Sequence, residues 1–433
     1  MSESPESQSP PGRLALSVWG VAAFFYFAGF YLRVFPAVIT TELMRDFHIN
    51  ASALGNFSAV YFYAYILMQV PTGVLVDSWG ARRLLILGSV IAAAGTFLFG
   101  ATDNVVLASI GRGMVGGATA VGWVVTLKLA THWLPPERFA MMSGLGLFIG
   151  NMGALVAQVP LRLLVEQIGW RAAAMSSAGI ALAVGILAFT TVKNDPGESG
   201  YRSYAHASLR STRRLTLWEI VKGFRHVFGY RNTWFIFLAQ GASVGSILAF
   251  TGLWGPPYLK VRYGLPSTTA AAVCSLMIVC WAIASPTAGY LSDRIARRKP
   301  LYLGGGIAAA IGWACLFYLP GLPLAAFIAV AAVTSFACGA VVLGFAYAKE
   351  SVPVLFLGTI SGGINVGNML GPTLLQPAIG WILDRQWAGE TVNGLRVYSV
   401  SAFHTSFLLI VGWFVLACVF IALTRETHCR QST

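Results

Sequence analysis

Three basic residues lie inside long apolar stretches of this 433-residue sequence. Arg33 lies in FYLRVFP, Lys128 in VVTLKLATHW and Lys349 in FAYAKESVP. A charged side chain at the centre of a membrane-spanning helix costs about 2.5–3.5 kcal/mol on insertion scales, so a charge placed there is expected to have a function. Cations in an apolar setting are suited to binding a negatively charged group, which makes these residues candidate anion ligands.

The stretches that carry these residues are predicted to be membrane-spanning helices. The composition is 56% hydrophobic and 10% charged, whereas charged residues make up about a quarter of a soluble globular protein. Each stretch reaches the roughly 20 residues that a spanning helix needs, and none alternates like a barrel strand. We therefore expect an all-α membrane protein with twelve transmembrane helices. The stretches are 14–41, 52–76, 82–101, 105–131, 138–166, 171–192, 232–258, 267–292, 299–319, 323–348, 355–384 and 401–424.

The net charge of +13 follows the predicted topology. With the N-terminus inside, the cytoplasmic loops carry Arg82, Arg83, Arg297, Arg298 and the basic segment 193–231, whereas the outer loops carry few basic residues. This asymmetry is the positive-inside rule, and it predicts both termini in the cytoplasm. The basicity therefore fits a lipid bilayer as the environment, and no nucleic-acid partner is expected.

The chain is a tandem repeat of two halves. GVLVDSWGARR at 73–83 returns as GYLSDRIARRK at 289–299, and GNMGA at 150–154 returns as GNMLG at 367–371. Repeated halves with a site between them near the midplane are one general plan of secondary transporters. The predicted organisation is a disordered cytoplasmic tail at 1–13, six-helix bundles at 14–192 and 232–424, a cytoplasmic linker at 193–231 and a cytoplasmic tail at 425–433.

The repeated element resembles the signature loop of the major facilitator superfamily, Gly-x-Leu-x-Asp-x-x-Gly-x-Arg-Arg. The first copy departs from it at Ser78, where a basic residue is usual, and the second at Ala296, where glycine is usual. The resemblance implies two pseudo-symmetric six-helix bundles that rock about a central site. The matching positions are Gly73, Leu75, Asp77, Gly80, Arg82 and Arg83, and then Gly289, Leu291, Asp293, Arg297 and Arg298.

The resemblance also implies a set of gating residues. Asp77 and Asp293 would each latch onto the start of a helix in the opposite half, because a carboxylate near a helix N-terminus is favoured by about 0.3–1 kcal/mol. GRGMVGG at 111–117 resembles the arginine-and-glycine motif that the superfamily carries in its fourth helix. The implied gating set is Asp77, Arg82, Arg83, Asp293, Arg297, Arg298 and Arg112.

Helices 1, 4, 7 and 10 line the central cavity in this superfamily, which by resemblance brings Arg33, Lys128 and Lys349 together. Arg33 and Lys128, with the loop PPERF, are also loosely similar to basic positions of its organic anion and organophosphate transporter branches. Helix 7 offers no basic residue in AFTGLWGPPYL, so a carboxylate or a zwitterion fits better than a phosphate ester. The structural alternatives for each cation are snorkelling to the interface and an ion pair, such as Lys349 with Glu350.

Aromatic and amide residues within the helices are expected to complete the site by stacking on an organic solute or hydrogen bonding to it. The structural alternative for each is a packing position or a place in the aromatic belt at the membrane interface. The candidates are Tyr31, Tyr61, Tyr65, Trp254 and Asn365.

Proton coupling would use a carboxylate within the helices, and the apolar stretches contain few. Glu42, near an outer end, and Glu350, near an inner end, are the candidates. Facilitated diffusion and anion exchange need no proton acceptor. No G-x-x-x-x-G-K-[ST] loop is present, so direct ATP drive is not expected, nor is a cofactor or a metal ion.

We therefore predict a monomeric secondary or facilitative transporter of a bacterial inner membrane. Its substrate would be a small organic anion or zwitterion, with carboxylates, phosphate esters and peptides as candidate classes, moved by rocker-switch alternating access. Two alternatives stay open: a proton-coupled multidrug exporter, and a transport-inactive sensor that signals through 193–231. An enzyme is not predicted, because the helices lack a paired carboxylate, a metal cluster or a nucleophile with its base.

Overall fold

The computed structural model describes residues 8–205, 223, 225–353, 356–392 and 394–430. Within these residues the chain forms twelve long helices, α1–α12. The first six are α1 Gly12–Val34 with the 3-10 turn Phe35–Val38, α2 Ala51–Trp79, α3 Ala81–Ala101, α4 Val105–Thr119 and Val121–Trp133, α5 Phe139–Val156 and Val159–Ile168, and α6 Trp170–Thr191. The others are α7 Arg231–Ala249, a π turn Phe250–Trp254 and Gly255–Tyr263, α8 Ser267–Ile295, α9 Lys299–Tyr318, α10 Leu324–Cys338, Gly339–Val342 and Leu343–Glu350, α11 Leu357–Arg385, and α12 Val400–Leu423.

Eleven of these helices, counted over the described part of the chain, are long and apolar enough to cross a membrane. The remaining helix, α11, is 29 residues long but carries many small and polar residues. Gly367 and Gly371 lie where a side chain would overlap α7, and small residues of this kind let two helix backbones approach closely. The predicted all-α membrane architecture is confirmed, and the lower hydropathy of α11 reflects its close packing.

Irregular turns interrupt several helices. Pro36 lies in the 3-10 turn that ends α1, Pro71 lies inside α2, and the π turn Phe250–Trp254 of α7 precedes Pro256 and Pro257. A proline has no backbone N–H, so the carbonyl four residues earlier lacks its usual helical donor. Each interruption therefore creates a place where a side chain can bind the backbone.

One compact unit comprises the described residues of Met1–Arg33, Tyr63–Ala157 and Gln167–Trp218. Its core is apolar and includes Trp19, Phe25 and Trp133, which are almost fully buried. Gly95 on α3 and Gly111 on α4 meet so closely that a side chain at either position would overlap the backbone of the other helix. The helices of this unit therefore pack through both large apolar and very small residues.

A second compact unit comprises Val34–Phe62, Gln158–Glu166 and the described residues of Glu219–Thr433. It thus contains the second half of the chain together with one end each of α1, α2 and α5. We call the parts of α1, α2, α5, α7 and α11 that lie in this unit near Val38, Ala51, Glu166, Tyr263 and Arg385 the distal ends of these helices. The predicted bundles 14–192 and 232–424 follow the sequence repeat, and that division stays a prediction.

A two-residue antiparallel ladder joins α11 to α12, with Thr391–Val392 as β1 and Leu395–Arg396 as β2. Gly394 adopts a positive φ of 77° in the turn between them. This connection carries Arg396 and Tyr398 to the distal end of α11. The predicted tail at 1–13 and linker at 193–231 lie partly outside the described residues.

Candidate functional site

Arg33 is buried in the last turn of α1. Its side chain is packed between two aromatic rings, with the guanidinium carbon 4.3 Å from the ring centre of Phe30 and 5.2 Å from that of Tyr65 on α2. The residue is only 6% exposed. A guanidinium stays charged at any physiological pH, and ring faces stabilise it by cation–π attraction. The structure therefore places a permanent positive charge inside an apolar span, next to Tyr65.

Arg112 on α4 is a second buried guanidinium at the same level. It donates from one terminal nitrogen to the carbonyl of Leu32 at 2.7 Å and from the other to the carbonyl of Arg33 at 3.3 Å. The Leu32 carbonyl is available because Pro36, four residues later, has no N–H. Arg112 is 2% exposed, so the last turn of α1 and the facing turn of α4 together hold two buried cations.

Close packing of α1 on α4 keeps these two turns together. A side chain at Gly29 would come within 3.1 Å of Cβ of Thr119 on α4. Arg112 is predicted by resemblance as a gating residue, and its observed contact joins two helices of the first unit. The proline that exposes the carbonyl was visible in the sequence, but the donor that reaches it was not.

The predicted aromatic ligands are not all at Arg33. Tyr65 contacts it, whereas the hydroxyl of Tyr31 shares a hydrogen bond of 3.1 Å with Ser177 on α6. Tyr61 is one turn from Tyr65 on α2, fully buried, with its ring at 5.3 Å from that of Phe62. In the first unit the structure therefore brings together Arg33 and Tyr65 as a pair.

Lys128 does not join Arg33. It lies sixteen residues after Arg112 on α4, which corresponds to roughly 24 Å along a helix. Its ammonium group donates to the carboxylate of Asp77 and to the carbonyl of Val76, both at 2.8 Å. The expected convergence of these two cations is thus absent, because α4 separates them by most of its length. The role of Lys128 as an anion ligand stays a prediction, and its observed partner, Asp77, is one of the predicted gating residues.

The other predicted ligands lie in the second unit. Trp254 is buried in the π turn of α7 and donates from its indole to the carbonyl of Gln376 at 3.1 Å. Asn365 is half-buried on α11, and Lys349 is exposed one residue before the end of α10. Their roles in binding stay predictions.

The first copy of the repeated loop is tied to α6 and to the start of the linker. The N–H of Arg82 donates to the side chain of Asn194 at 2.9 Å, and its guanidinium to the carbonyl of Phe189 at 2.6 Å. The imidazole of His132, at the end of α4, hydrogen-bonds the carboxylate of Asp195 at 2.9 Å. Residues that directly follow α6 therefore hold the adjoining ends of α3 and α4.

The second copy contains an ion cluster around the buried guanidinium of Arg298. Arg298 donates from Nε and from a terminal nitrogen to the same oxygen of Glu350, at 3.0 and 2.8 Å, and also binds Ser292 and Asp293. Burial alone would lower the pKa of Arg298, but its hydrogen bonds to Glu350 and Asp293 and the charge of Glu350 outweigh burial and raise that pKa. Glu350 thus pairs with Arg298, and its ion pair with Lys349 stays a prediction.

The C-terminal tail completes this cluster. The carboxylate of Glu426 accepts the backbone N–H groups of Arg298 and Lys299 at 3.0 Å each, and so caps the start of α9. The hydroxyl of Thr427 donates to the second oxygen of Glu350 at 2.6 Å. The predicted cytoplasmic tail 425–433 gives no sign of this role of Glu426, since nothing local marks a carboxylate as the cap of a helix more than a hundred residues away.

The two carboxylates considered for proton coupling are both bound to arginines. Glu42 accepts from Arg162 at 2.6 Å, and Arg162 also donates to the carbonyl of Val38 at 2.9 Å. Glu350 is held by Arg298 as described. An arginine does not give up its proton in a protein, so each carboxylate has a permanent positive neighbour. Their role in coupling stays a prediction.

A family model described as the Major Facilitator Superfamily matches residues 19–283 and 256–431 of this chain. The chain is 23% identical over 393 residues to a probable sulfoacetate transporter of Cupriavidus necator, covering 85% of this chain and 87% of that protein. It is 23% identical over 445 residues to a probable galactarate/D-glucarate transporter of Escherichia coli, covering 94% and 96%.

Among solved structures, the fold is similar to that of a bacterial homolog to the human lysosomal transporter Spinster, in an inward-facing and unoccupied conformation. The TM-score is 0.77 at 16% sequence identity, with 96% of this chain and 97% of that chain covered. At this identity the likeness concerns the fold alone.

Proposed function

Because this chain belongs to the Major Facilitator Superfamily, we propose that it transports a small organic anion, with Arg33 as the main ligand of the negative group. The observation that carries the proposal is the buried guanidinium of Arg33 inside an apolar span. The chain is a multi-pass membrane protein and a transporter; the substrate class and the residues that bind it are the proposed part.

The geometry around Arg33 suits the recognition of a carboxylate or a sulfonate. Phe30 and Tyr65 lie against the guanidinium, and a planar guanidinium presents its N–H groups in a fork that matches two oxygens of an anion. Arg112 adds a second positive charge at the same turn, anchored on the backbone carbonyls of α1. Charges that are removed from water interact more strongly than they do at a surface, so this turn favours an anion over a neutral solute.

The names of the two relatives support the same substrate class. One is named for sulfoacetate and the other for galactarate and D-glucarate. Each of these compounds carries two negatively charged groups on a short carbon chain. Two buried cations on facing turns of α1 and α4 provide a matching positive charge.

The remaining predicted residues have proposed secondary roles. We propose that Tyr65 lines the anion beside Arg33, and that Lys128 and Lys349, nearer to the opposite helix ends, meet the anion elsewhere on its path. Tyr31, Tyr61, Trp254 and Asn365 stay predicted contacts. Asp77 and Asp293 with their neighbouring arginines stay predicted gates in a rocker-switch cycle, with both termini on the cytoplasmic side of a bacterial inner membrane.

Anion exchange or facilitated diffusion is the proposed mode of transport. Glu42 and Glu350 each form an ion pair with an arginine, Arg162 and Arg298 respectively. A proton acceptor in these positions would have to release its arginine in every cycle. Uptake into liposomes driven by an opposed anion gradient, with and without a pH gradient, separates exchange from proton coupling.

Thermal unfolding of the purified protein tests the anion site. A ligand at a hundred times its dissociation constant stabilises the folded state by about 2.7 kcal/mol. Sulfoacetate and D-glucarate are expected to raise the unfolding temperature of the wild-type protein, and cationic dyes are not. Arg33→Gln is expected to remove the anion-induced shift, and Arg33→Lys to retain part of it, because lysine keeps the charge but not the planar fork.

The control is Arg171→Gln. Arg171 also lies against an aromatic ring, Trp170 at 4.5 Å, and also binds backbone carbonyls, those of Gly100 and Thr102. Arg171 pairs with the exposed Asp103, just after the C-terminal end of α3. Replacing Arg171 should leave the anion-induced shift of the unfolding temperature unchanged. An anion-induced shift that survives in Arg33→Gln would contradict the proposed site, and a shift with cationic dyes alone would favour drug export.

A further inference from the structure

The distal ends of α2 and α11 are in direct backbone contact within the second unit. A side chain at Gly55 would lie 2.5 Å from the carbonyl oxygen of Gln376. A side chain at Gly380 would overlap the carbonyl of Ala51. Two helices that are far apart in the sequence thus approach each other through glycines, where no side chain can hold them apart.

Asp384, in the last turn of α11, binds the first turn of α2. One carboxylate oxygen accepts the N–H of Ser52 at 2.7 Å. The other accepts the hydroxyl of Tyr398 at 2.6 Å and a terminal nitrogen of Arg396 at 3.2 Å. The hydroxyl oxygen of Tyr398 in turn accepts the N–H of Ala51 at 3.1 Å.

These bonds satisfy backbone groups that α2 cannot satisfy itself. The first N–H groups of a helix have no partner within the helix, and a negative charge at that end is favoured by the helix dipole. Ala51 and Ser52 both receive their acceptors from residues more than three hundred positions later. Asn50 caps Ala53 locally at 2.9 Å, whereas the acceptors for Ala51 and Ser52 come from α11 and from the connection between α11 and α12.

We propose that Asp384 and Tyr398 form a latch that keeps the distal ends of α2 and α11 closed, and that alternating access requires its release. This inference rests on transport by movement of the two halves, and not on the identity of the substrate. The side chain of Asp384 is 13% exposed, so water can reach it and replace its partners when the helices separate. Asp384 is a positioning residue, because it contacts helix ends and not the anion.

The sequence repeat does not duplicate this latch. At the offset of 217 residues that GNMGA (150–154) and GNMLG (367–371) set for α5 and α11, the counterpart of Asp384 is Gln167, which carries no charge. The distal end of α5 is instead held by Arg162, which binds Glu42, Glu166 and the carbonyl of Val38. The sequence repeat therefore did not indicate a role for Asp384, and the proposed role follows from its contacts alone.

Distances between spin labels on the two helices test the latch without a substrate. Asn56 on α2 and Gln386 at the end of α11 are exposed and can be replaced by labelled cysteines after the six native cysteines are substituted. The parent protein is expected to show mainly one short distance. Asp384→Asn should add a longer distance and lower the ratio of closed to open molecules by about tenfold, since it removes a charged acceptor.

Tyr398→Phe should shift the same ratio in the same direction by less, because it keeps the ring and removes only the hydroxyl. Asp103→Asn is the control: Asp103 also pairs with an arginine, Arg171, but its side chain is 92% exposed, and the partner observed is a guanidinium and not a backbone N–H group. Its distances should match those of the parent. An unchanged distance distribution in both Asp384→Asn and Tyr398→Phe would overturn the proposal, and if Asp384→Asn does not fold, Tyr398→Phe decides.

The outcome is independent of the anion site. If the labelled helices separate as expected while sulfoacetate and D-glucarate fail to stabilise the protein, the latch stands and the proposed substrate class does not. If the anions stabilise the protein while the distances in Asp384→Asn and Tyr398→Phe stay unchanged, the proposed substrate class stands and the latch does not.

Discussion

The two copies of the repeated loop have similar sequences but bind different partners. In the first copy, Asp77 pairs with Lys128 on α4, and both side chains are partly exposed, at 49% and 23%. In the second copy, Asp293 pairs with Arg298 of its own loop, and Arg298 is buried against Glu350 at the end of α10. A repeated motif thus preserves the positions of charges, whereas the neighbouring helices decide which partner each charge binds.

The turns of the two copies also differ. Gly80 adopts φ 84° and ψ 160° just before α3, a region that only glycine populates readily. Ala296 occupies the matching place before α9 with φ 54° and ψ 36°, in the left-handed region that other residues can enter at some cost. The sequence departure at Ala296 therefore corresponds to a different turn and not to a lost one.

The largest expected effect is the loss of the buried pair in the second copy. Arg298→Ala leaves the carboxylate of Glu350 buried without its cation, which should lower the free energy of unfolding by about 3 kcal/mol or more. Lys128→Ala, its matched change in the first copy, removes a partly exposed pair and should lower it by about 1 kcal/mol or less. Unfolding in detergent measures both, and equal losses would show that the two copies are not used differently.

An intermediate effect is expected at the turns. Gly80→Ala should lower the free energy of unfolding by about 1–3 kcal/mol, because of its backbone conformation and because the added carbon would lie 2.5 Å from the side-chain oxygen of Asn194. Ala296→Gly should instead raise it by about 0.5–1 kcal/mol, since glycine relieves the left-handed strain. The same unfolding assay applies, and a loss from both changes would refute the difference between the turns.

The smallest expected effect concerns the tail that caps the second copy. Burial alone would raise the pKa of Glu426, but the N–H groups of Arg298, Lys299, His428 and Thr427 outweigh it and hold this pKa below its ordinary value of 4.5. A lowered pKa in the folded state means that the stabilisation is present above the unfolded value and is lost as the pH falls through the folded value. Glu426→Gln should therefore cost about 0.5–2 kcal/mol at pH 7, and less as the pH falls below about 4.5.

The first copy offers the matching measurement. Hydrogen bonds from His132, Gly197 and Ser203 outweigh burial and hold the pKa of Asp195 below its ordinary value of 3.8. The contribution of Asp195 to the free energy of unfolding should therefore begin to fall at a lower pH than the contribution of Glu426. Unfolding of Asp195→Asn and Glu426→Gln between pH 3 and 7 compares the two, with the exposed Glu198→Gln as the control; a pH-independent cost at Glu426 would refute its role as a charged cap.

Much of the fold was predictable from local features. Long apolar stretches predicted the helices within a few residues, and the repeat with its signature loop predicted the superfamily that the family model matches. The breaks were partly predictable, since Pro36 removes a helical donor wherever it stands. The π turn of α7 was not, because it depends on how Gln158 and Gln376 bind the backbone carbonyls of Thr251 and Leu248.

The candidate site was predictable in its parts and not in its assembly. Arg33 was identified because a charge in an apolar helix is rare, and Arg112 because its motif is known. That Arg112 binds the backbone of Arg33, and that Lys128 lies far from both and binds Asp77, depends on which faces of α1, α2 and α4 meet. Asp384 and Glu426 were missed because each acts on a helix that lies far away in the sequence.

The sequence by itself determined which segments span the membrane, which positions repeat and which charges need a partner, because hydropathy and helix length are local properties. Only the tertiary structure decided which partner each charge has. Ser52 is capped by Asp384, Arg298 is held by Glu350, and the carbonyl of Leu32 receives Arg112. These choices arise when distant helices pack, since a hydrogen bond is made within about 3 Å and no local pattern specifies which residues will come that close.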